Sequence, residues 1–307
     1  DDSDAPAGGP RRTRLRQQMK MLHSWEGEPG RYFLAHRDGV PVGFLVLHTS
    51  DYDNPDLVWI ELAVHPEHRR QGIGSWLHQQ AEALARDIGR PSVLLEGWDD
   101  EATRAFAAAS GYPVVSVSVT RVQDLSAEPA QRARFVSLRA EAEQASAEYD
   151  LLRITGRSSQ ALLEQLVEVT AAINDAPSDD LDIEDEVFSA ERVRAYEQAQ
   201  LGSGFRFRRV VAVERSTGAI AGHTVVVVDA EQPAYGEQHD TVVVPAHRGH
   251  RLGLRLKSDM LCWLAEEEPQ LRRLVTDNAE SNDPMIAVNE RLGYRVAGRR
   301  LALQRRL

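Results

Sequence analysis

Two short segments combine residue types and spacing that could do chemistry. Arg69-Arg70-Gln71-Gly72-Ile73-Gly74 and Arg248-Gly249-His250-Arg251-Leu252-Gly253 each follow an apolar run ending in valine, at Val64 and Val243. Each also precedes a stretch whose apolar residues recur at helical spacing. Between a strand and a helix, such a loop aims successive backbone N–H groups and the unbonded amides of the helix start at one point. That makes a pocket for an anion such as a phosphate. Glycine lets the backbone approach the anion closely, and arginine adds charge at the rim.

The two segments belong to a repeat. Val64, Pro66, His68, Arg69, Gly74 and Leu77 recur as Val243, Pro245, His247, Arg248, Gly253 and Leu256, at a constant offset of 179 residues, and Glu61 pairs with Asp240. Gly111-Tyr112 recurs as Gly293-Tyr294 at an offset of 182. Two copies of one domain account for this, and missing the repeat would misassign the whole fold.

Each copy carries elements able to position its loop. In the first, strands over Tyr32–Ala35 and Val42–Leu47 flank the hairpin signal Asp38-Gly39, and a third strand, Leu57–Val64, enters the loop. A helix from Ser75 to about Ile88, a strand at Val93–Leu95, a helix over Glu101–Ser110 and a strand over Val114–Val122 follow. In the second, Val210–Val213 and Thr224–Val228 flank the turn Ser216-Thr217-Gly218. A helix through Leu256, Met260 and Trp263, a strand over Leu274–Thr276 and a helix over Met285–Leu292 complete that half. It also has room for an opening strand, Leu151–Ile154, and two opening helices, Gln160–Ile173 and Ala190–Gln200. The first half has space only for one short helix, near Arg14–Leu22, and is expected to lack those opening elements. The reading divides the chain into a domain over 1–126, a connecting helix over 127–147 and a domain over 148–307. The fold class is α+β, mixed α/β in composition.

Composition narrows the function. The chain has 307 residues and a net charge of −11, which disfavours tracking of nucleic-acid backbones. No apolar run approaches the roughly 18 residues of a membrane span, so neither nucleic acid nor membrane is an expected partner. The one cysteine, Cys262, excludes an intrachain disulfide and suggests a reducing, cytoplasmic setting; it reads as a core residue. His65, His68, His223, His239, His247 and His250 form no metal-ligand pattern, so no metal is expected. The chain starts at Asp1, so its true N-terminus is expected to be trimmed or to lie upstream. The cluster Arg11, Arg12, Arg14, Arg16 reads as a solvated helix face.

Val-x-Pro-x-x-Arg-x-x-Gly-x-Gly, met in full over residues 64–74 and over 243–253 with Arg251 in place of the first glycine, resembles the main signature of the GNAT superfamily of N-acetyltransferases. Both copies resemble it, in the tandem arrangement of its two-domain members. The resemblance implies a splayed mixed sheet per domain, with acetyl-CoA as acetyl donor and its pyrophosphate on the loop. Its pantetheine arm would run along the strand ending at Val64 or Val243, where a backbone N–H would polarise the thioester. It further implies direct attack by the amine of a small, cationic acceptor, with Glu61 or Asp240 as general base.

The coenzyme contacts implied are Val64, Arg69, Arg70, Gln71, Gly72, Ile73 and Gly74 in one copy. In the other they are Val243, Arg248, Gly249, His250, Arg251, Leu252, Gly253 and Asn282. Asn282 also suits a helix N-cap, and Asp100 is its counterpart. A late-helix tyrosine serves many members as general acid; that place holds Ala107 and Asn289 here. Tyr112 and Tyr294 read as core.

The acidic run Asp175, Asp179, Asp180, Asp182, Glu184, Asp185, Glu186 is a candidate rim for a cationic acceptor, or a solvated loop. The first loop is expected to bind coenzyme at least as readily as the second, having both glycines of the signature against one. Arg251 is tolerable there if its φ stays negative. Catalysis is placed in the second half. A non-catalytic acyl-CoA-binding scaffold and transfer of another acyl group are the alternatives. The assembly expected is a monomer, as an internal pseudo-dimer, or a weak homodimer.

Overall fold

The computed structural model describes residues 13–126 and 128–307, so Arg11 and Arg12 lie outside the described residues. The first half runs α1 (Arg14–His23), β1 (Arg31–Arg37), β2 (Val40–His48), β3 (Leu57–Val64), α2 (Ile73–Asp87), β4 (Ser92–Trp98), α3 (Glu101–Ser110) and β5 (Val114–Asp124). Helix α4 (Pro129–Ala145) leads to the second half. There follow β6 (Tyr149–Thr155), α5 (Gln160–Ala171), α6 (Ala190–Gly202), β7 (Phe205–Glu214), β8 (Ile220–Asp229), β9 (Tyr235–Val243), α7 (Leu252–Glu267), β10 (Arg273–Ala279), α8 (Asp283–Leu292) and β11 (Arg295–Arg306). The fold is mixed α/β, two tandem copies of one unit, as the sequence suggests.

All eleven strands among the described residues join one sheet, in the order β1-β2-β3-β4-β11-β5-β10-β9-β8-β7-β6. Strand pairing crosses the proposed division near 126–148. The last strand of the second half, β11, lies between β4 and β5, while β5 of the first half lies between β11 and β10. The two halves thus exchange their closing strands, and β11·β5 is antiparallel from Arg295/Val122 to Leu303/Val114. Strand β11 has no counterpart among the elements read from the sequence.

The exceptions to antiparallel pairing sit at the two repeats. Strands β3 and β4 are parallel and joined through α2; β9 and β10 are parallel and joined through α7. A parallel pair needs such a crossover helix. In the second half both faces of the sheet are covered, and every residue of β8 is buried. Val210, Val226 and Val228 face Leu256, Met260 and α4's Phe135 on one side. Val211 and Val242 face Leu163 and Leu166 of α5 and Val193 of α6 on the other. Twelve residues of α7 are buried, because α4 covers its outer side.

In the first half, α2 covers one face through Leu77, Ala81 and Ala85. Among the described residues, α1 is the one element before β1, and it docks on α6 of the second half. Its Arg16 is no solvated charge: it pairs with Asp229 and Glu237. Tyr112, Tyr294 and Cys262 are buried. No helix among the described residues is long and apolar enough to cross a membrane.

Candidate active site

Strands β9 and β10 pair at Tyr235/Arg273, Gly236/Leu274 and Glu237/Val275, and the ladder then stops. Beyond Glu237 the strands diverge, and a cleft of 1080 Å³ opens in the gap. It runs along β9 to Val243 and over the 248–253 loop, where Arg248, Gly249, Arg251, Leu252 and Gly253 line it; Asn282 and Met285 form its far wall. The first-turn amides of α7 have no acceptor within the helix and face this loop, so it suits the phosphate end of a long, thin ligand. His250 is not part of the lining; its ring packs against Tyr149. Residues 64–74 line neither this cleft nor the pocket that adjoins it.

The two loops have one backbone plan. Nε of Arg69 donates to the Val64 carbonyl and Nε of Arg248 to that of Val243, both at 3.0 Å. Each loop has two left-handed residues: Arg70 (φ 61°) and Gly72 (φ 83°) in the first, Gly249 (φ 86°) and Arg251 (φ 55°) in the second. Gly74 and Gly253 lie in the first turns of α2 and α7. Two expectations are corrected here. Each loop fills its two left-handed positions with one glycine and one arginine, so the glycine count gives the first loop no advantage. Arg251 does not keep a negative φ, and its guanidinium pairs with Glu141 of α4 instead of reaching toward an anion.

Gly249→Val follows from this. A β-branched residue near φ 86° costs about 1–2 kcal/mol or forces the loop to move. Coenzyme A affinity, measured by calorimetry, should fall about tenfold or more, while Gly72→Val should leave it unchanged. The reverse pattern would move the coenzyme to the first half.

The halves differ most in the strand that carries the candidate base. Strand β3 pairs with β2 in unbroken register from Gly43/Val64 to His48/Trp59. Strand β9 slips against β8 between Thr224/Thr241 and Val226/Gln238, so His239 and Asp240 oppose Val225 alone. This is a β-bulge, which re-aims side chains. Gln238 and Thr241 both bond the hydroxyl of Thr224 and so share a face. The two residues between them therefore both fall on the opposite face, that of α5 and α6. There His239 Nδ1 meets the Tyr196 hydroxyl at 2.5 Å, and its ring packs at a tilt against Trp25, with ring centroids 4.6 Å apart. Asp240 lines the large cleft and also a second pocket of 190 Å³.

That second pocket is built by both halves. Trp25 and Glu26 come from the segment after α1, and Glu186, Arg192, Arg209 and His223 from the second half. Arg192 bonds Glu26, Asp53 and Glu186 together. Burial raises the pKa of Asp240 against the pull of His239 and Arg209. Burial, with repulsion from Glu26 and Asp240, lifts Glu186 to about 7 against the pull of Arg192. Glu26 is also raised, by burial. Burial and mutual repulsion raise three carboxyl groups around one small cavity, and a cation placed among them would relieve that repulsion.

Glu61 is in a different position. Burial would raise its pKa, but His48, whose Nε2 lies 3.3 Å away, and the ammonium of Lys20, 2.7 Å away, bring it down to about 2. A carboxylate held that low is a poor acceptor of protons near neutrality. Its geometry is that of an ion pair tying α1 to β3.

The acidic run is an exposed loop for most of its length, tied down at several points, and of its acids only the two at its ends reach a pocket. Asp179 bonds Ser116 and Ser281, the Asp182 and Glu184 amides bond Gln304 and Asn54, and Asp175 pairs with Arg248. Of its acids, Glu186 faces the small pocket and Asp175 the large cleft. Asn282 caps α8, accepting from the Met285 amide at 3.3 Å, and Asp100 caps α3 in the same way.

One cleft residue escaped the sequence reading. Lys257 of α7 is 2 % exposed, yet it lines the large cleft. Its Nζ donates to Asn289 Oδ1 at 2.7 Å and lies 4.9 Å from the centre of the Tyr294 ring. Burial lowers its pKa to about 7. Asn289 stands where the resemblance implies a tyrosine acid, so a proton donor reaches that place from another helix. The signal available was a lysine amid the apolar positions of α7.

Comparison with known proteins agrees with this fold. The family model "Acetyltransferase (GNAT) family" matches residues 3–112 and 173–294. A tandem GNAT protein from the clavulanic acid biosynthesis pathway, solved without AcCoA, is 27% identical with a TM-score of 0.75, over 97% of this chain and 90% of that one. A GCN5-related N-acetyltransferase from Sphaerobacter thermophilus shares the fold at 17% identity and a TM-score of 0.64, over 93% of this chain and 84% of its own. No curated protein matches the sequence. With both copies matched by the family model, the chain belongs to the GNAT acetyltransferase family, as a tandem member.

Proposed function

We propose that this acyltransferase moves the acetyl group of acetyl-CoA to the primary amine of a small cationic acceptor, by direct attack, in the second half of the chain. The observation that carries the reading is the bulge at His239–Asp240. It sets one carboxylate where a long cleft, ending on an anion-binding loop, meets a small acidic pocket. Acetyl-CoA supplies an activated carbonyl carbon. The loop at 248–253 would hold its pyrophosphate, and the free edge of β9 beyond Glu237 would hold its pantetheine arm and polarise the carbonyl.

Trp25, Glu26 and Glu186 would receive the acceptor as its ammonium form. Asp240 takes one proton from that ammonium, directly or through water, and frees the lone pair. Nitrogen bonds to the carbonyl carbon and sheds its second proton through water to solvent, the carbon–sulfur bond breaks, and Lys257 gives its proton to the departing sulfur, to be reprotonated from solvent. A donor near 7 protonating a thiolate whose own pKa is about 8.5 runs downhill. Glu61 and the first loop are left with a supporting part.

Release of free thiol from acetyl-CoA in the presence of a panel of small primary amines tests the reading. Thiol release that depends on the amine, with a matching N-acetyl product, is expected. Coenzyme binding without release for any amine would favour the scaffold alternative. A faster reaction with longer acyl chains would favour another acyl donor.

A further inference from the structure

The small pocket says more about the acceptor, and this step rests on the proposed acetyl transfer. His223 of β8 is 1 % exposed and lines that pocket, and neither ring nitrogen has a hydrogen-bond partner. A buried polar group without a partner costs free energy that a ligand can recover. His223 is on the same face of the sheet as Asp240: it is paired with Val242, two residues further along β9. Burial, helped by the charge of Arg209, pushes its pKa well below the usual histidine range, so the ring is neutral. A neutral imidazole offers one N–H and one lone pair.

The charges around it decide what can complete that pair. Glu26, Glu186 and Asp240 face the same cavity, so a carboxylate would add a further negative charge and could not donate to the ring. The Arg209 charge already reaches the His223 ring and disfavours a positive charge there, and an ammonium, which only donates, would leave the ring N–H unpaired. An alkyl end would leave both nitrogens unsatisfied. A hydroxyl both donates and accepts, and it carries no charge. The volume, 190 Å³, equals that of about six water molecules.

We propose that the acceptor is a small amino alcohol, whose amine meets Asp240 and whose hydroxyl is recognised by His223 at the inner end of a pocket closed by Trp25 and Glu26 of the other half.

The test compares four chain-length-matched amines with acetyl-CoA: an amino alcohol, its alkylamine, a diamine and an amino acid. The amino alcohol should exceed the alkylamine in kcat/KM by about ten- to a hundredfold, the factor that an unsatisfied buried pair costs. His223→Leu should remove that preference with the KM for acetyl-CoA unchanged, and His223→Gln, which still donates and accepts, should keep most of it. The unchanged KM shows that the variants are folded. Equal use of the alkylamine, the diamine or the amino acid by the wild type would overturn the assignment, as would a preference surviving His223→Leu. If no amine is acetylated at all, acetyl transfer to amines is itself wrong and the assignment falls with it. Turnover without a hydroxyl preference sinks the assignment alone.

Discussion

Asp240→Asn is expected to lower kcat by about 10²–10⁴-fold, while the affinity for acetyl-CoA barely moves. Asparagine keeps the shape of the carboxylate and removes its basicity. Burial raises the pKa of Asp240, so the wild-type rate should climb with pH through a value above the ordinary aspartate range. In the variant that acidic limb should vanish. The comparison that matters is Glu61→Gln. Glu61 is locked to Lys20 and His48 with a pKa near 2, so its loss should loosen α1 without removing a base. Wild-type turnover in Asp240→Asn together with loss in Glu61→Gln would place the chemistry in the first half.

The second large effect belongs to Lys257. Lys257→Met should reduce kcat by about a hundredfold, the lower end for loss of a general acid, because a thiolate leaves without much help. The alkaline limb of the pH–rate profile, expected near 7 in the free enzyme, should disappear with it. Lys257→Arg separates proton donation from simple charge, since arginine keeps its proton at any working pH. Full rescue by arginine would contradict the assignment.

Stability gives an independent readout. The folded pKa of Lys257, about 7, lies below its unfolded value of 10.5, so between those values the unfolded chain binds the extra proton. The contribution of this residue to stability is therefore complete above 10.5 and is lost as pH falls through 7. Thermal melts of the wild type should show that rise between neutral and alkaline pH, and melts of Lys257→Met should lack it.

How far the sequence alone reaches differs from element to element. The Asp38-Gly39 hairpin, the strand Leu57–Val64 and the helix Glu101–Ser110 were readable because turn chemistry and local periodicity specify them. The exchange of β5 and β11 was not, since a strand's partner is a long-range choice and Val114–Asp124 carries the same alternation whether it pairs with β4 or β11. The offset of 179 located both loops and both acids. It could not distinguish them, because the difference is a slip of register against β8. Counting glycines misled for a related reason: the decisive property is which positions turn left-handed, and arginine fills one of them in each loop. The small pocket was hidden for a third reason. Trp25 and Glu26 lie over 200 residues from Asp240 in the chain and reach it only when α1 docks on α6.

The central claim is that the second half alone carries the thioester. A crystal structure of the full chain grown with acetyl-CoA tests it most directly. The expected result is coenzyme between β9 and β10, with pyrophosphate on the amides of 248–253, the carbonyl beside the His239–Asp240 bulge and the sulfur facing Lys257. Coenzyme bound on Arg69–Gly74, with the β9–β10 cleft empty, would contradict the account.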